Sequence, residues 1–191
     1  MKLTDTAHLT ERFKPTKQQL IDAAGKTLPD IVAPNLRVLF CGINPGLYTA
    51  AVGHHFARPG NRFWPALYKS GFTDRLVSPF EERELLKSGI GISNVVPHAT
   101  ASAADLTRDD FIKGGRMLAA KVRRYKPRIV AILGVGAYRQ AFAKPKAVIG
   151  EQDEHIHAAR VWVLPNPSGL NANYQLSELV RLFAELREAA H

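Results

Sequence analysis

Three short apolar runs stand out along the chain: Val38–Cys41, Ile129–Leu133 and Val161–Leu164. Each is rich in β-branched residues and bounded by Gly or Pro, the pattern of strands buried on both faces of a parallel sheet. A fourth candidate strand is Ile90–Val96. Between these runs the apolar spacing changes. From Arg108 to Tyr125, residues Phe111, Leu118, Val122 and Tyr125 form a helical stripe, and Thr107 with Asp110 forms a capping box at its start. A last helix carries Leu176, Leu179, Val180, Phe183 and Leu186 on one face. Strands alternating with helices predict an α/β fold with a mostly parallel central sheet. Residues 1–35 read as an N-terminal extension punctuated by Pro15, Pro29 and Pro34. It holds one short helix from Thr16 to near Ala24, with Thr16 as N-cap. The compact domain is expected to span residues 36–191.

One internal echo changes this picture. Arg37-Val-Leu-Phe-Cys-Gly-Ile-Asn-Pro-Gly-Leu47 resembles Arg160-Val-Trp-Val-Leu-Pro-Asn-Pro-Ser-Gly-Leu170. Each is an apolar strand followed by an Asn-Pro turn, a Gly and a Leu. If both strands are parallel, both loops leave the carboxyl edge of the sheet, where open α/β sheets bind ligands. Taken singly, each loop also reads as a plain turn. In the first loop, Gly42 lets backbone approach a ligand closely, and Asn44 offers a carboxamide that orients a water or reads a base edge. Downstream, Phe56 could stack on a planar ligand, and Arg58 and Arg62 could meet phosphate. Phe63 and Trp64 read as core, with Tyr68 on the same helical face. In the second loop, Ser168-Gly169-Leu170-Asn171, Leu170 either wedges into a base stack or folds back onto the following helix. Asp105 follows the 90–96 strand at the same edge. It reads either as a carboxylate that activates water or as a helix-start residue.

Composition narrows the chemistry. A single cysteine, Cys41, excludes an intramolecular disulfide and a four-cysteine zinc or iron–sulfur site. His54-His55 has no third ligand spaced to complete a metal site, so no metal is expected. The N-terminus lacks the apolar core of a secretory signal, and no run is long enough to span a membrane, so a cytoplasmic protein is expected. The formal net charge of +9 favours phosphate polyanions as partners. The cations of Lys121–Arg128 also suit the end of a helix.

The segments GINPGL, ARPGNRFWPALYKSGFTDR, AILGVGAY and WVLPNPSGLN, in that order, resemble the mismatch-specific uracil-DNA glycosylases, relatives of the thymine-DNA glycosylases. The similarity runs from about Leu36 to Ala189. It implies a three-layer α/β/α domain of the uracil-DNA-glycosylase type. The implied reaction is hydrolysis of the N-glycosidic bond of uracil mispaired with guanine in double-stranded DNA, leaving an abasic site, by a monofunctional enzyme without cofactor or metal; separately, a DNA-facing monomer is the default expectation. By the same resemblance Asn44 holds the attacking water, and Gly42, Ile43, Thr49 and Phe56 form the uracil pocket. Leu170 fills the void left by the flipped nucleotide, while Gly169 and Asn171 address the widowed guanine. A catalytic Asp105 would widen the substrates to A·U pairs or single strands. The rival readings are a non-catalytic DNA- or abasic-site-binding domain on the same fold, and a small-molecule enzyme acting on nucleosides or phosphosugars.

Overall fold

A computed structural model describes residues 14–190. Its centre is a five-stranded sheet in the order β2-β1-β3-β5-β4. The strands are β1 (Val38–Gly42), β2 (Ile90–Asn94), β3 (Ile129–Leu133), β4 (Gly150–Ile156) and β5 (Ala159–Leu164). β2, β1, β3 and β5 run parallel, and β4 is antiparallel to β5. The predicted runs are therefore strands, and β1, β2 and β3 are buried along their whole length. Alternate side chains go to opposite layers, as strand geometry requires.

One layer joins Val38, Phe40, Ala131, Leu133, Trp162 and Leu164 to helices α3 (Phe63–Lys69) and α6 (Leu176–Ala189). The other joins Leu39, Cys41, Val130, Ile132, Val161 and Val163 to α4 (Arg108–Tyr125) and α5 (Val135–Ala141). The result is the expected three-layer α/β/α architecture. Helix α1 (Lys17–Ile21) follows the Thr16 cap but stops before Ala24, and α2 (Leu47–Val52) follows β1 directly. At the start of α4, Asp110 N–H donates to Thr107 Oγ1, and Thr107 N–H donates to the Asp110 carboxylate, as the capping box predicts. The basic stretch after Lys121 closes α4, with Arg123 and Arg124 in its last turn.

Two differences have simple causes. Strand β4 has no apolar run because only Gln152 and Ile156 are buried, so its polar sequence hides an edge strand. It exists because the His157-Ala158 turn folds it back on β5, pairing Ile156 with Ala159. Tyr68 is exposed although it lies one turn after the buried Trp64, because the buried face of α3 centres on Phe63, Ala66 and Leu67 and Tyr68 falls at the margin of that face.

The segment before Leu36 packs on the domain over its described part. Ile31 is buried and exchanges two backbone hydrogen bonds of 2.8 Å with Ile92. Asp30 takes Lys121 of α4 at 2.6 Å and the Ser93 hydroxyl of β2 at 2.7 Å.

Candidate active site

At the carboxyl edge of the sheet the segments after β1, β2 and β5 come together around a crevice. A cleft of about 360 Å³ occupies this edge, and both Asn-Pro loops line it. β1 and β2 stay joined beyond their ends. Val95 N–H donates to Gly42 O at 2.8 Å, Val96 N–H to Ile43 O at 2.9 Å, and Thr100 N–H to Pro45 O at 3.2 Å. This pairing brings Asn44 beside residues 98–100. Its Nδ2 donates to Thr100 Oγ1 at 2.8 Å, His98 O at 3.1 Å and Pro45 O at 3.2 Å. With the nitrogen held on the protein side, Oδ1 is left as an acceptor for the cleft; among the described residues it has no hydrogen-bond partner.

The floor is built by Gly42, Phe56 and Asn94. Phe56 sits at a positive φ of 54°, which turns its ring onto Phe63 with centroids 4.1 Å apart. One ring face is thus covered, and the ring lines the cleft. A Cβ at Gly42 would come within 2.6 Å of Asn94 Oδ1 and 3.3 Å of the Phe56 ring. Only glycine leaves this floor open. Asn94 ends β2 opposite Gly42 and is buried. Its Nδ2 faces His55 Nδ1 at 3.5 Å. His55 Nε2 lies 3.0 Å from Pro29 O, an acceptor only, so Nε2 carries the proton and Nδ1 presents a lone pair to the amide. The turn carrying these residues is pinned by the buried Glu82, which accepts from His55 N–H at 2.8 Å and holds His54 Nδ1 at 3.0 Å. Trp64 Nε1–H donates to His55 O at 3.2 Å, so its ring serves both core and site.

The loop after β5 forms the opposite rim. Its turns are closed by Ser168 N–H to Asn166 Oδ1 at 3.0 Å and Asn171 Nδ2 to Asn166 O at 2.9 Å. Leu170 projects from its tip with 74% of its surface exposed. Arg62 lies under this loop and donates to the carbonyls of Pro167, Ser168, Asn171 and Tyr174. Arg58 stands exposed at the mouth, with no side-chain hydrogen bond or ion pair among the described residues.

A family model of the uracil DNA glycosylase superfamily matches residues 29–189. The chain belongs to the uracil DNA glycosylase superfamily. Among solved structures, it is similar to an NMR structure of a Methanosarcina acetivorans protein named provisionally as a uracil DNA glycosylase. That likeness has a TM-score of 0.55 and 16% identity, and covers 85% of this chain and 98% of the other. At that identity it speaks for the fold alone. Superfamily membership makes the chemistry that of a DNA glycosylase, a hydrolase of base excision repair with DNA as its partner.

In this glycosylase-superfamily domain most of the expected residues converge. Gly42, Ile43, Asn44, Thr49 and Phe56 line the cleft from one side, and Ser168, Leu170 and Asn171 from the other, with Arg58 at the mouth. Gly169 sits against the 58–62 loop, where a Cβ would meet Gly60 O at 2.6 Å. Arg62 donates to the loop carbonyls of Pro167, Ser168, Asn171 and Tyr174. Among the described residues, neither Asp105 nor any other carboxylate lines the cleft. Asp105 Oδ2 accepts Ser102 N–H at 2.9 Å in a capping box of the short 3-10 turn Ala103–Asp105, the helix-start alternative of the sequence. It touches Asn44 only through a relay, because Ser102 O accepts the Thr100 hydroxyl at 2.7 Å and Thr100 in turn holds the Asn44 amide. Asn94 and His55 join the site although residue type and spacing assign them no role in the sequence; the available signal for Asn94 was a carboxamide at the end of a strand on the same sheet edge.

No helix among the described residues is long and apolar enough to cross a membrane.

Proposed function

We propose that the chain is a monofunctional glycosylase that removes uracil from duplex DNA, with uracil opposite guanine as its leading substrate, acting as a monomer. The observation that carries this reading is the union of three features in one cleft. They are a slot between the Phe56 ring and the Asn94 amide, an oriented Asn44 carboxamide, and an exposed Leu170 at the rim.

A base inside the helix is out of reach, so the nucleotide is flipped into the slot. A G·U wobble pair is held less firmly than a Watson–Crick pair, so flipping costs less there. Leu170 enters the stack and fills the void, and the backbone of Gly169 and Asn171 addresses the remaining guanine. In the slot the ring stacks on Phe56. The Asn94 carboxamide offers a donor and an acceptor side by side, which complement a carbonyl and the adjacent ring N–H of uracil. Ile43 and Thr49 close the sides. Asn44 Oδ1 accepts from the attacking water and orients it toward the sugar. A carboxamide does not deprotonate water, so the bond breaks largely by departure of the base, with positive charge on the sugar and negative charge on uracil. Uracil is a tolerable leaving anion, and positioning supplies the remaining catalysis. On this reading Asp105 keeps the 100–105 turn in shape and does not activate water. Arg58 meets the phosphate backbone.

Single-turnover base release from duplex G·U, A·U and G·T and from single-stranded uracil, followed by alkaline cleavage, tests the reading. Release is expected from G·U first. Binding to duplex or abasic DNA without release from any substrate would replace it with the non-catalytic alternative.

A further inference from the structure

Arg62 gives all three of its guanidinium nitrogens to the loop after β5. Nη1 donates to Tyr174 O, Nη2 to Ser168 O and to Asn171 O at 2.8 Å, and Nε to Pro167 O at 3.4 Å. Its own backbone N–H donates to Pro167 O at 3.0 Å. These acceptors lie on both limbs of the loop. Pro167 and Ser168 lead to the tip, and Asn171 and Tyr174 lead away from it. Gly169, between them, is backed by the Gly60 carbonyl so closely that no side chain fits. The guanidinium therefore ties the two limbs at the base of the loop. A planar fork with several fixed donors suits this task, and a lysine ammonium does not.

We infer that Arg62 is a positioning residue that presets the Leu170 loop in its protruding form before DNA arrives. This rests on the proposed base-flipping function. The ordering of the loop is then completed on folding, so less conformational freedom is lost when Leu170 enters the stack. The +9 chain has other cations for the phosphate backbone. Arg58, a few residues earlier and exposed at the mouth, is one; Arg62 is held inward by carbonyls.

Three measurements on the full chain test the inference, after thermal melts confirm folded variants. The first is salt dependence of duplex binding. Arg58→Gln should make the slope of log K against log salt shallower by about 0.9, the value for one lost phosphate contact, and Arg62→Gln should leave it unchanged. The second is a double-mutant cycle on single-turnover uracil release. Arg62→Lys and Arg62→Gln should each slow release by about tenfold, and this loss should vanish when Leu170→Ala is already present. A slope that falls for Arg62→Gln, rescue by Arg62→Lys, or additive losses would overturn the inference. The third is hydrogen exchange of the free protein. Amides of residues 168–174 should exchange about tenfold faster in Arg62→Gln, with the central strands unchanged. Unchanged exchange in the loop overturns the inference whatever the enzyme does to DNA. A wild-type protein that releases no uracil overturns the functional reading instead, and the exchange measurement still judges Arg62.

Discussion

The two Asn-Pro loops begin from nearly the same sequence and end as opposite devices. The loop after β1 is drawn inward. Its carbonyls at Gly42, Ile43 and Pro45 stay paired with the segment after β2, and the Asn44 side chain is clamped by three acceptors. The loop after β5 is pushed outward. Its Asn166 is used for its own turn, and Leu170 stands exposed on a base held by Arg62. The neighbouring strand accounts for the difference. β1 has parallel partners on both sides, and one of them continues past the sheet edge alongside it. β5 has β4 on its outer side, an antiparallel strand whose far end leaves no such companion at the carboxyl edge. A shared local motif thus becomes a rigid holder of a polar group in one setting and a projecting apolar tip in the other.

The sharpest way to break this contrast is Asn44→Ala. It removes the oriented acceptor and should lower single-turnover release from G·U DNA by about 10²-fold or more, with duplex binding little changed. A loss below threefold would deny Asn44 its role. Gly42→Ala comes next. Its new Cβ would press on Asn94 Oδ1 and the Phe56 ring, closing the slot. Release should fall by about 10²-fold, with a stability loss of about 1–3 kcal/mol seen in urea melts. Leu170→Ala tests the outer loop. Release from duplex DNA should drop by about tenfold through weaker flipping, while the exposed position should leave stability within about 0.5 kcal/mol. A melting change with unaltered release would make Leu170 a packing residue.

Asp105 sharpens the comparison with a smaller effect. As a cap it needs only an acceptor oxygen for Ser102 N–H, which Asn also supplies. Asp105→Asn should therefore keep release within about threefold, whereas loss of a general base would cost about 10²-fold or more. The smallest effect lies away from both loops, at the start of α4. Hydrogen bonds from the Thr107 hydroxyl and backbone N–H hold the Asp110 carboxyl below its ordinary range. A depressed folded-state value means that this stabilisation is complete above the unfolded carboxylate range. It is lost as pH falls through the folded value. Melting temperatures of wild type and Asp110→Asn should differ near neutral pH and converge in acid. A gap that widens in acid would contradict the assignment.

Much of this could be read from residue order. The apolar runs gave the strands, the Thr107–Asp110 spacing gave the α4 cap, and the repeated Asn-Pro motif put two loops at one sheet edge. These features depend on residues close in sequence. Asn94 was harder, because its meaning comes from standing opposite Gly42 across a strand pair. His55 was harder still, because its partner at Pro29 lies in a segment that looked like an extension. Arg62 reads as a phosphate contact because basic residues beside aromatics fit that pattern, and in the folded chain it donates to carbonyls more than 100 residues away in sequence. Asp105 looked reachable because it follows the right strand, yet the turn between them satisfies its carboxylate locally.

The sequence by itself determined the α/β class, most of the strands, the start of α4 and most of the residues that line the cleft. Those depend on side-chain type and short-range periodicity, which the chain carries locally. Only the tertiary structure decided which Asn-Pro loop turns inward, which amide is tied, and which arginine is bound to loop carbonyls while the other stands exposed. Donor and acceptor groups find partners across strands and loops, and their free orientations are fixed only when those long-range partners arrive.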